Sequence, residues 1–285
     1  MRRLRIEHRT TYRFPVRVEL EPHRLYLRPR EGHDVQVESS RLAIHPPCEV
    51  LWQRDLHDNA LAIARFLEPA DTLSIESEIV IQHFECMPPF FPIDRAWTAY
   101  PCQVSNHEAI SLSPHRIQAY PGDSPACLDW RARFWRPGQV IDTLALLAGI
   151  NRAIASEFTY AERHAEGVQS PDVTLATRTG SCRDFATLFM ETCRGLGLPA
   201  RFVSGYLCTG SSAGPGGSTH AWTEVYLPGA GWRGYDSTLG EATGGSHIAV
   251  AVGRHPSAVP PVAGSFVGPA GLAPTLFVGV RTIIL

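Results

Sequence analysis

Residues 179–186 read Thr-Gly-Ser-Cys-Arg-Asp-Phe-Ala, and the interpretation of the whole chain starts from them. Ser181 stands where the N-cap of a helix belongs, and glycine and proline at 195–199 predict where that helix ends. Between them, apolar side chains recur at steps of three and four residues, which predicts a helix with one apolar face. These side chains are Phe185, Leu188, Phe189, Cys193 and Leu196. Cys182 is then the first helical residue, where free N–H groups and the helix dipole favour a thiolate.

A helix N-terminus is not enough to make Cys182 a nucleophile at neutral pH. An ordinary thiol has a pKa of about 8.5, and the helix end contributes roughly 0.3–1 kcal/mol, which is less than one pKa unit. A second cation beside the sulfur is needed, and in thiol enzymes it is normally an imidazolium. The sequence should therefore contain a histidine that is held by a carboxylate.

A predicted hairpin around the Pro-Gly turn at 228–231 offers such a pair. If Tyr226 faces Trp232 across this turn, His220 becomes the diagonal neighbour of Asp236 on the same face of the sheet. Diagonal neighbours lie about 7–8 Å apart at Cα, within reach of a hydrogen bond between their side chains. A slip of one residue would place His220 and Asp236 on opposite faces.

Three stretches together resemble the core of the bacterial transglutaminase-like superfamily: residues 180–186, 197–207 and 220–238. Residues 4–12 and 25–30 are similar to the β-rich N-terminal domain that precedes this core in many bacterial members, and residues 248–254 resemble the segment after the aspartate. The resemblance implies a papain-related fold in which Cys182 is the nucleophile, His220 the base and Asp236 the residue that orients the base. It implies no metal and no organic cofactor.

Two further residues are candidates for binding the oxyanion or the substrate. Tyr160 corresponds by position to an aromatic donor that assists the backbone N–H of the cysteine in this superfamily, and a Tyr160 that only packs is the alternative. Trp222 is predicted to be core or groove wall, with substrate contact as the alternative. Arg183 and His255 depart from the family pattern, where glutamine and an acidic residue are more usual.

The fold class predicted from the pattern is α+β. Residues 1–88 alternate polar and apolar side chains between turn residues, which predicts an all-β, sandwich-like domain. Residues 89–122 are predicted to be a linker that also packs, and residues 123–285 a transglutaminase-like core with a C-terminal β extension. Within the core we expect helices at 126–135 and 140–158 and strands at 200–207 and 276–285.

Composition narrows the class of protein and of partner. The net charge of −2 gives no support for a nucleic-acid partner, and no apolar run is long enough for a membrane span. Seven scattered cysteines without CxxC spacing argue against a disulfide framework, and no apolar signal region follows the N-terminal arginines, so we expect a cytoplasmic location. A zinc site made of Cys182, Cys208 and His220 would match no familiar spacing.

The function predicted from these residues is hydrolysis of a peptide or isopeptide-type amide through an acyl-thioester. The expected partner is a peptide or protein substrate. Acyl transfer to an amine, as in protein-glutamine crosslinking, is the first alternative, and a non-catalytic interaction module is the second. The small-residue loop at 208–218 is predicted to be a tolerated insertion, with gating of the site as the alternative.

Overall fold

The structure is a computed structural model that describes residues 1–84, 92–102, 106–120, 124–163, 167–209 and 217–285. The aromatic, proline-rich stretch at 87–91 and most of the 208–218 loop lie outside the described residues. None of the helices in the described ranges is long and apolar enough to cross a membrane.

The elements confirm the α+β class, with a β-rich N-terminal part followed by a mixed core. The strands of the described residues are β1 Arg2–Leu20, β2 His23–Leu25, β3 Val35–His45, β4 Cys48–Arg54, β5 Ala60–Phe66, β6 Ala70–His83, β7 Ala99–Tyr100, β8 Ile141–Asp142, β9 Thr159–Tyr160, β10 Thr179–Gly180, β11 Ala200–Cys208, β12 Gly217–Leu227, β13 Gly231–Asp236, β14 Glu241–Ala242, β15 His247–Gly253, β16 Val262–Ala263, β17 Phe266–Val267 and β18 Thr275–Ile284. The helices are α1 Asn106–Arg116, α2 Pro125–Ala132, α3 Thr143–Glu157, α4 Pro171–Thr177 and α5 Cys182–Gly195, with short 3₁₀ turns at Arg95–Trp97 and Pro256–Ala258.

The N-terminal domain packs two antiparallel sheets, in the orders β18-β1-β6-β3 and β16-β2-β5-β4. Inward-facing apolar side chains such as Phe14, Leu25 and Leu73 fill the space between them, as the alternating pattern predicted. The sequence suggested separate strands near residues 5–7 and 16–20. The structure joins them into one long β1, whose register with β6 shifts between Arg13 and Val18.

The C-terminal strand differs from its predicted place. We expected it to extend the catalytic core, whereas β18 pairs antiparallel with β1, from Leu4 opposite Ile284 to Arg13 opposite Thr275. Pairing with β18 satisfies the N–H and C=O groups on the side of β1 that β6 does not reach. Apolar alternation identified a strand, but it carries no information on which edge that strand would cover.

The catalytic-core sheet is antiparallel in the order β14-β13-β12-β11-β15, and α5 packs against β12 and β11. The sequence predicted one apolar face for α5, but residues 184–194 are all buried, because α1, α2, α3 and α4 surround the helix. Its polar side chains are paired internally: Arg194 forms a 2.7 Å ion pair with Glu191 and donates to the carbonyl of Ala200. The helices α1 and α4 were not predicted, although Ser170 and Pro171 form a usual start signal for α4.

The N-terminal domain covers the outer edge of β15, the last strand of the catalytic sheet. The backbone N–H of Arg30 donates to the carbonyl of Ala249 at 2.9 Å. The side chain of Asn59 accepts from the N–H of Val252 at 2.9 Å and donates to the carbonyl of the same residue at 2.8 Å. Since one apolar cluster also continues from Ile6 and Ile79 into the catalytic core, the two domains form a single packed unit.

Candidate active site

Cys182 begins α5, as the sequence predicted, and its side chain is half-buried. The turn ahead of it is held by Asp184, whose fully buried carboxylate accepts from the N–H and the hydroxyl of Ser181, both at 2.8 Å. The N–H of Gln169 and the guanidinium of Arg163 also donate to this carboxylate, at 2.7 and 2.8 Å. Burial alone would raise the pKa of Asp184, but these donors hold it below its ordinary value. The contacts of Asp184 are therefore those of a capping residue.

Gly180 and Tyr160 bring a phenol close to the start of α5. The short strands β9 and β10 run parallel and place Tyr160 opposite Gly180. A Cβ at Gly180 would lie 2.9 Å from the Cβ of Asp184, so only glycine allows this close turn from strand into helix. Burial and the neighbouring sulfur of Cys182 raise the pKa of Tyr160, whose side chain is 52% exposed. The hydroxyl of Tyr160 thus remains protonated at neutral pH.

The hairpin of β12 and β13 has the predicted register. Tyr226 pairs with Trp232, and the pairing continues to Thr223 opposite Tyr235. Gly229 and Gly231 make the turn with φ values of +82° and +74°, which side-chain-bearing residues rarely adopt.

His220 lies between Asp236 and Cys182. Its Nε2 donates to Oδ2 of Asp236 at 2.7 Å, and its side chain also hydrogen-bonds that of Cys182. Because Nε2 faces the carboxylate, Nδ1 is the nitrogen left for the sulfur. Burial alone would lower the pKa of His220, but the hydrogen bonds to Asp236 and Cys182 outweigh it and raise the pKa to about 9. The structure thus brings together the three residues of the predicted triad, with an imidazolium beside the sulfur at neutral pH.

Asp236 is fully buried at the end of β13, and both of its oxygens are occupied. Oδ1 accepts from the backbone N–H groups of Thr238 and Leu239, at 2.9 and 3.3 Å. Oδ2 accepts from His220 and from a second imidazole, that of His247, at 2.9 Å. Burial would raise the pKa of Asp236, but these hydrogen bonds hold it well below its ordinary range. Asp236 is therefore ionised across the physiological pH range.

His247 is the residue at the site that the sequence did not single out. It begins β15, which pairs with β11 and reaches the carboxylate from outside the hairpin that carries His220 and Asp236. No local spacing predicts this contact, since it depends on which strand lies beside β11. The only available signal was that His247 directly precedes residues 248–254, the segment noted for its family resemblance.

The group formed by His220, Asp236 and His247 has the composition of a metal site, since its candidate ligand atoms lie within 4.8 Å of one another. The second hydrogen bond of His247 argues against that use. The N–H of Gly244 donates to Nδ1 of His247 at 3.3 Å, so the ring proton is on Nε2, which donates to Asp236. A metal-bound histidine normally donates from its other nitrogen, which here would meet an N–H group. The donor set fits a hydrogen-bonded array better than a metal.

The zinc alternative that uses Cys208 is also unsupported, because the side chain of Cys208 hydrogen-bonds Thr282 on β18. Trp222 is 2% exposed, and its ring meets that of His247 edge to face at 5.2 Å. That burial agrees with the predicted core position. Of the two departures from the family pattern, Arg183 donates to the carbonyl of Arg163 at 3.1 Å, and His255 contacts the hydroxyl of Tyr120 at 3.0 Å.

Comparison with known proteins covers both domains. Residues 4–82 match the family model described as bacterial transglutaminase-like N-terminal region, and residues 141–237 match the model of the transglutaminase-like superfamily. A protein of Mycobacterium tuberculosis is 28% identical over 280 residues, which cover 92% of this chain and 87% of that protein. A peptide-N(4)-(N-acetyl-beta-glucosaminyl)asparagine amidase of Rattus norvegicus is 39% identical over 59 residues, 21% of this chain and 7% of the amidase.

Among solved structures, a proposed cysteine protease from Cytophaga hutchinsonii has the same fold. It superimposes with a TM-score of 0.70 at 17% identity and covers 99% of this chain and 91% of its own. Together with the matches to both family models, this likeness establishes the architecture from end to end. The chain therefore belongs to the transglutaminase-like superfamily, as a member that carries the bacterial transglutaminase-like N-terminal region.

Proposed function

We propose that this protein is a thiol hydrolase that cleaves a peptide or isopeptide-type amide bond. The observation that carries the proposal is the array of Cys182, His220 and Asp236, in which a buried carboxylate holds an imidazolium against a cysteine at a helix N-terminus. The proposed cysteine protease and the amidase among the similar proteins agree with this class of reaction. No step of the reaction requires a metal or an organic cofactor.

The first half of the reaction forms an acyl-enzyme. The Cys182 thiolate attacks the amide carbonyl carbon, a C–S bond forms, and the carbonyl oxygen becomes an oxyanion. The backbone N–H of Cys182 and the hydroxyl of Tyr160 are the proposed donors to that oxyanion. When the intermediate collapses, the C–N bond breaks, and the leaving nitrogen takes the proton from the imidazolium of His220. An acyl-thioester remains on Cys182.

The second half resolves the thioester. Neutral His220 takes a proton from water, the hydroxyl oxygen attacks the acyl carbon, and the C–S bond breaks to release the acid and the thiolate. The half-buried Cys182 and the exposed Tyr160 give water access to this position, which favours hydrolysis over acyl transfer to an amine. An amine that took the place of water would give the crosslinking reaction with the same residues.

A peptide-library digest read by mass spectrometry tests the proposal. We expect cleavage by the wild type and by Cys127→Ala, and none by Cys182→Ala. Cys127 is a matched control because it is half-buried and also lies in the first turn of a helix, α2. Equal cleavage by Cys182→Ala would overturn the proposal. Adding a glutamine peptide and a primary amine separates the two reactions, since transfer leaves the amine attached to the peptide.

Alkylation by iodoacetamide distinguishes an enzyme from a non-catalytic module without any substrate. At neutral pH we expect Cys182 to be labelled much faster than Cys127, because burial raises the pKa of the Cys127 thiol. Equal labelling rates would indicate that the fold serves as an interaction module.

A further inference from the structure

One oxygen of Asp236 is shared by two imidazoles, and only one of them belongs to the proposed triad. Nε2 of His220 lies 2.7 Å from Oδ2, and Nε2 of His247 lies 2.9 Å from it. We propose that His247 is a positioning residue of the site: it fixes Oδ2 of Asp236, so that the carboxylate can direct His220 towards Cys182. This inference rests on the proposed function.

The contacts of Asp236 show why a second imidazole is needed. The backbone donors from Thr238 and Leu239 hold Oδ1 and leave Oδ2 to the two histidines. Oδ2 has to orient His220 during the reaction, so it must itself be held in place by a group other than His220. His247 is the donor to Oδ2 that is independent of the reacting imidazole.

His247 is itself held from two sides. The N–H of Gly244 donates to Nδ1, which keeps the ring proton on Nε2, and the ring of Trp222 packs edge to face at 5.2 Å. The side chain of His247 is only 5% exposed. Trp222 in turn lies over Gly205, where a Cβ would come within 2.5 Å of its ring. A rigid, buried neighbour is what a positioning residue requires.

A cavity of about 250 Å³ between the two domains borders His247 and Trp222. Its other charged or titratable walls include Arg30, Asp34, Glu224 and Arg233. The cavity is large enough for a small solute, and it lies next to the space that a shortened side chain at position 247 would leave. Free imidazole can therefore be used as a probe to replace the deleted ring.

The first test compares His247→Leu, which removes the donor, with His247→Gln, which keeps an N–H near the position of Nε2. In His247→Leu we expect iodoacetamide to alkylate Cys182 about tenfold more slowly than in the wild type at about pH 6. A factor of ten corresponds to a displacement of the pH–rate curve by about one pH unit. His247→Gln should stay within about threefold of the wild type. On a peptide found in the digest, kcat should fall by a similar factor and KM should change little. His23→Leu, which removes a buried imidazole from the N-terminal domain, is the control and should behave as wild type.

The second test is rescue of His247→Ala by added imidazole. We expect the alkylation rate of Cys182 to rise with imidazole and to saturate, with no such rise in the wild type. Two results would overturn the inference. One is a folded His247→Leu variant in which Cys182 is alkylated at the wild-type rate. The other is an equal loss of that rate in the Leu and Gln variants together with no rescue of His247→Ala by imidazole. Alkylation requires no substrate, so it tests His247 even if the digest finds no cleaved bond, which would instead count against the proposed function.

Discussion

Replacing Asp236 by asparagine tests the array most directly. Asparagine keeps the shape of the side chain, but it cannot accept all four of the hydrogen bonds that the carboxylate accepts. Oδ1 receives two backbone N–H groups and Oδ2 receives two imidazole N–H groups, so the site supplies donors on both sides. An asparagine has one oxygen and one NH₂ group. If the oxygen faces the backbone, the NH₂ group meets the N–H of His220, whose proton must then move to Nδ1, and this tautomer cannot accept the proton of Cys182.

The size of the effect follows from the pKa of His220. It is raised from its ordinary 6.5 to about 9, and one pKa unit is a factor of ten, so the ion pair with Cys182 gains at most about 300-fold from its surroundings. Cys182 itself contributes to that rise, so the share of Asp236 is smaller. With the tautomer change added, we expect Asp236→Asn to reduce cleavage and alkylation of Cys182 by about 100-fold at about pH 6.

The measurement is the rate of Cys182 alkylation across pH, followed by the digest. Asp142→Asn is the control, since Asp142 is the N-cap of α3, where it accepts from the backbone N–H of Ala145, and asparagine caps a helix equally well. We expect this control to react as wild type. An Asp236→Asn variant that stays folded and alkylates within about threefold of the wild type would refute the proposed role of the carboxylate.

Three further predictions concern pH, the domain contact and the oxyanion. The pKa of His220 is raised in the folded protein, so its imidazolium persists below about pH 9 and is lost above it. The rate of peptide cleavage should therefore fall as the pH rises through about 9, because the leaving nitrogen loses its proton donor. A cleavage rate that stays constant up to about pH 10.5 would contradict this prediction. Asn59→Ala should cost about 2–4 kcal/mol in urea unfolding, because it strands the N–H and C=O of Val252; a change below about 0.5 kcal/mol would contradict it. Tyr160→Phe should lower kcat at least about tenfold with little change in KM, whereas an unchanged kcat would leave Tyr160 as a packing residue.

The parts of the site that could be predicted from the sequence depend on short-range geometry. The N-cap at Ser181 and the apolar steps of α5 place Cys182 within one helical turn. A five-residue turn relates His220 to Asp236 once Tyr226 is taken to face Trp232, the pairing that the structure has. In both cases the relevant spacing is local.

The features that were missed depend on contacts between distant segments. His247 reaches Asp236 only because β15 lies beside β11, and β18 pairs with β1 at the opposite end of the chain. Helix α1 lies in the stretch that was predicted to be a packing linker, and its mean hydropathy and composition give little helical signal around Pro114. Propensity can be overridden where tertiary contacts supply the stability, as they do for a helix packed against α5.

The N-terminal domain acquires a definite role when these contacts are taken together. β15 is the last strand of the catalytic sheet, and without Arg30 and Asn59 its outer N–H and C=O groups would face solvent. An edge strand frays more readily than a central one, and β15 begins with His247. Covering that edge therefore steadies the imidazole that holds Asp236. On this reasoning Asn59→Ala should loosen the site as well as the fold, and its Cys182 alkylation at about pH 6 should slow in the same direction as that of His247→Leu.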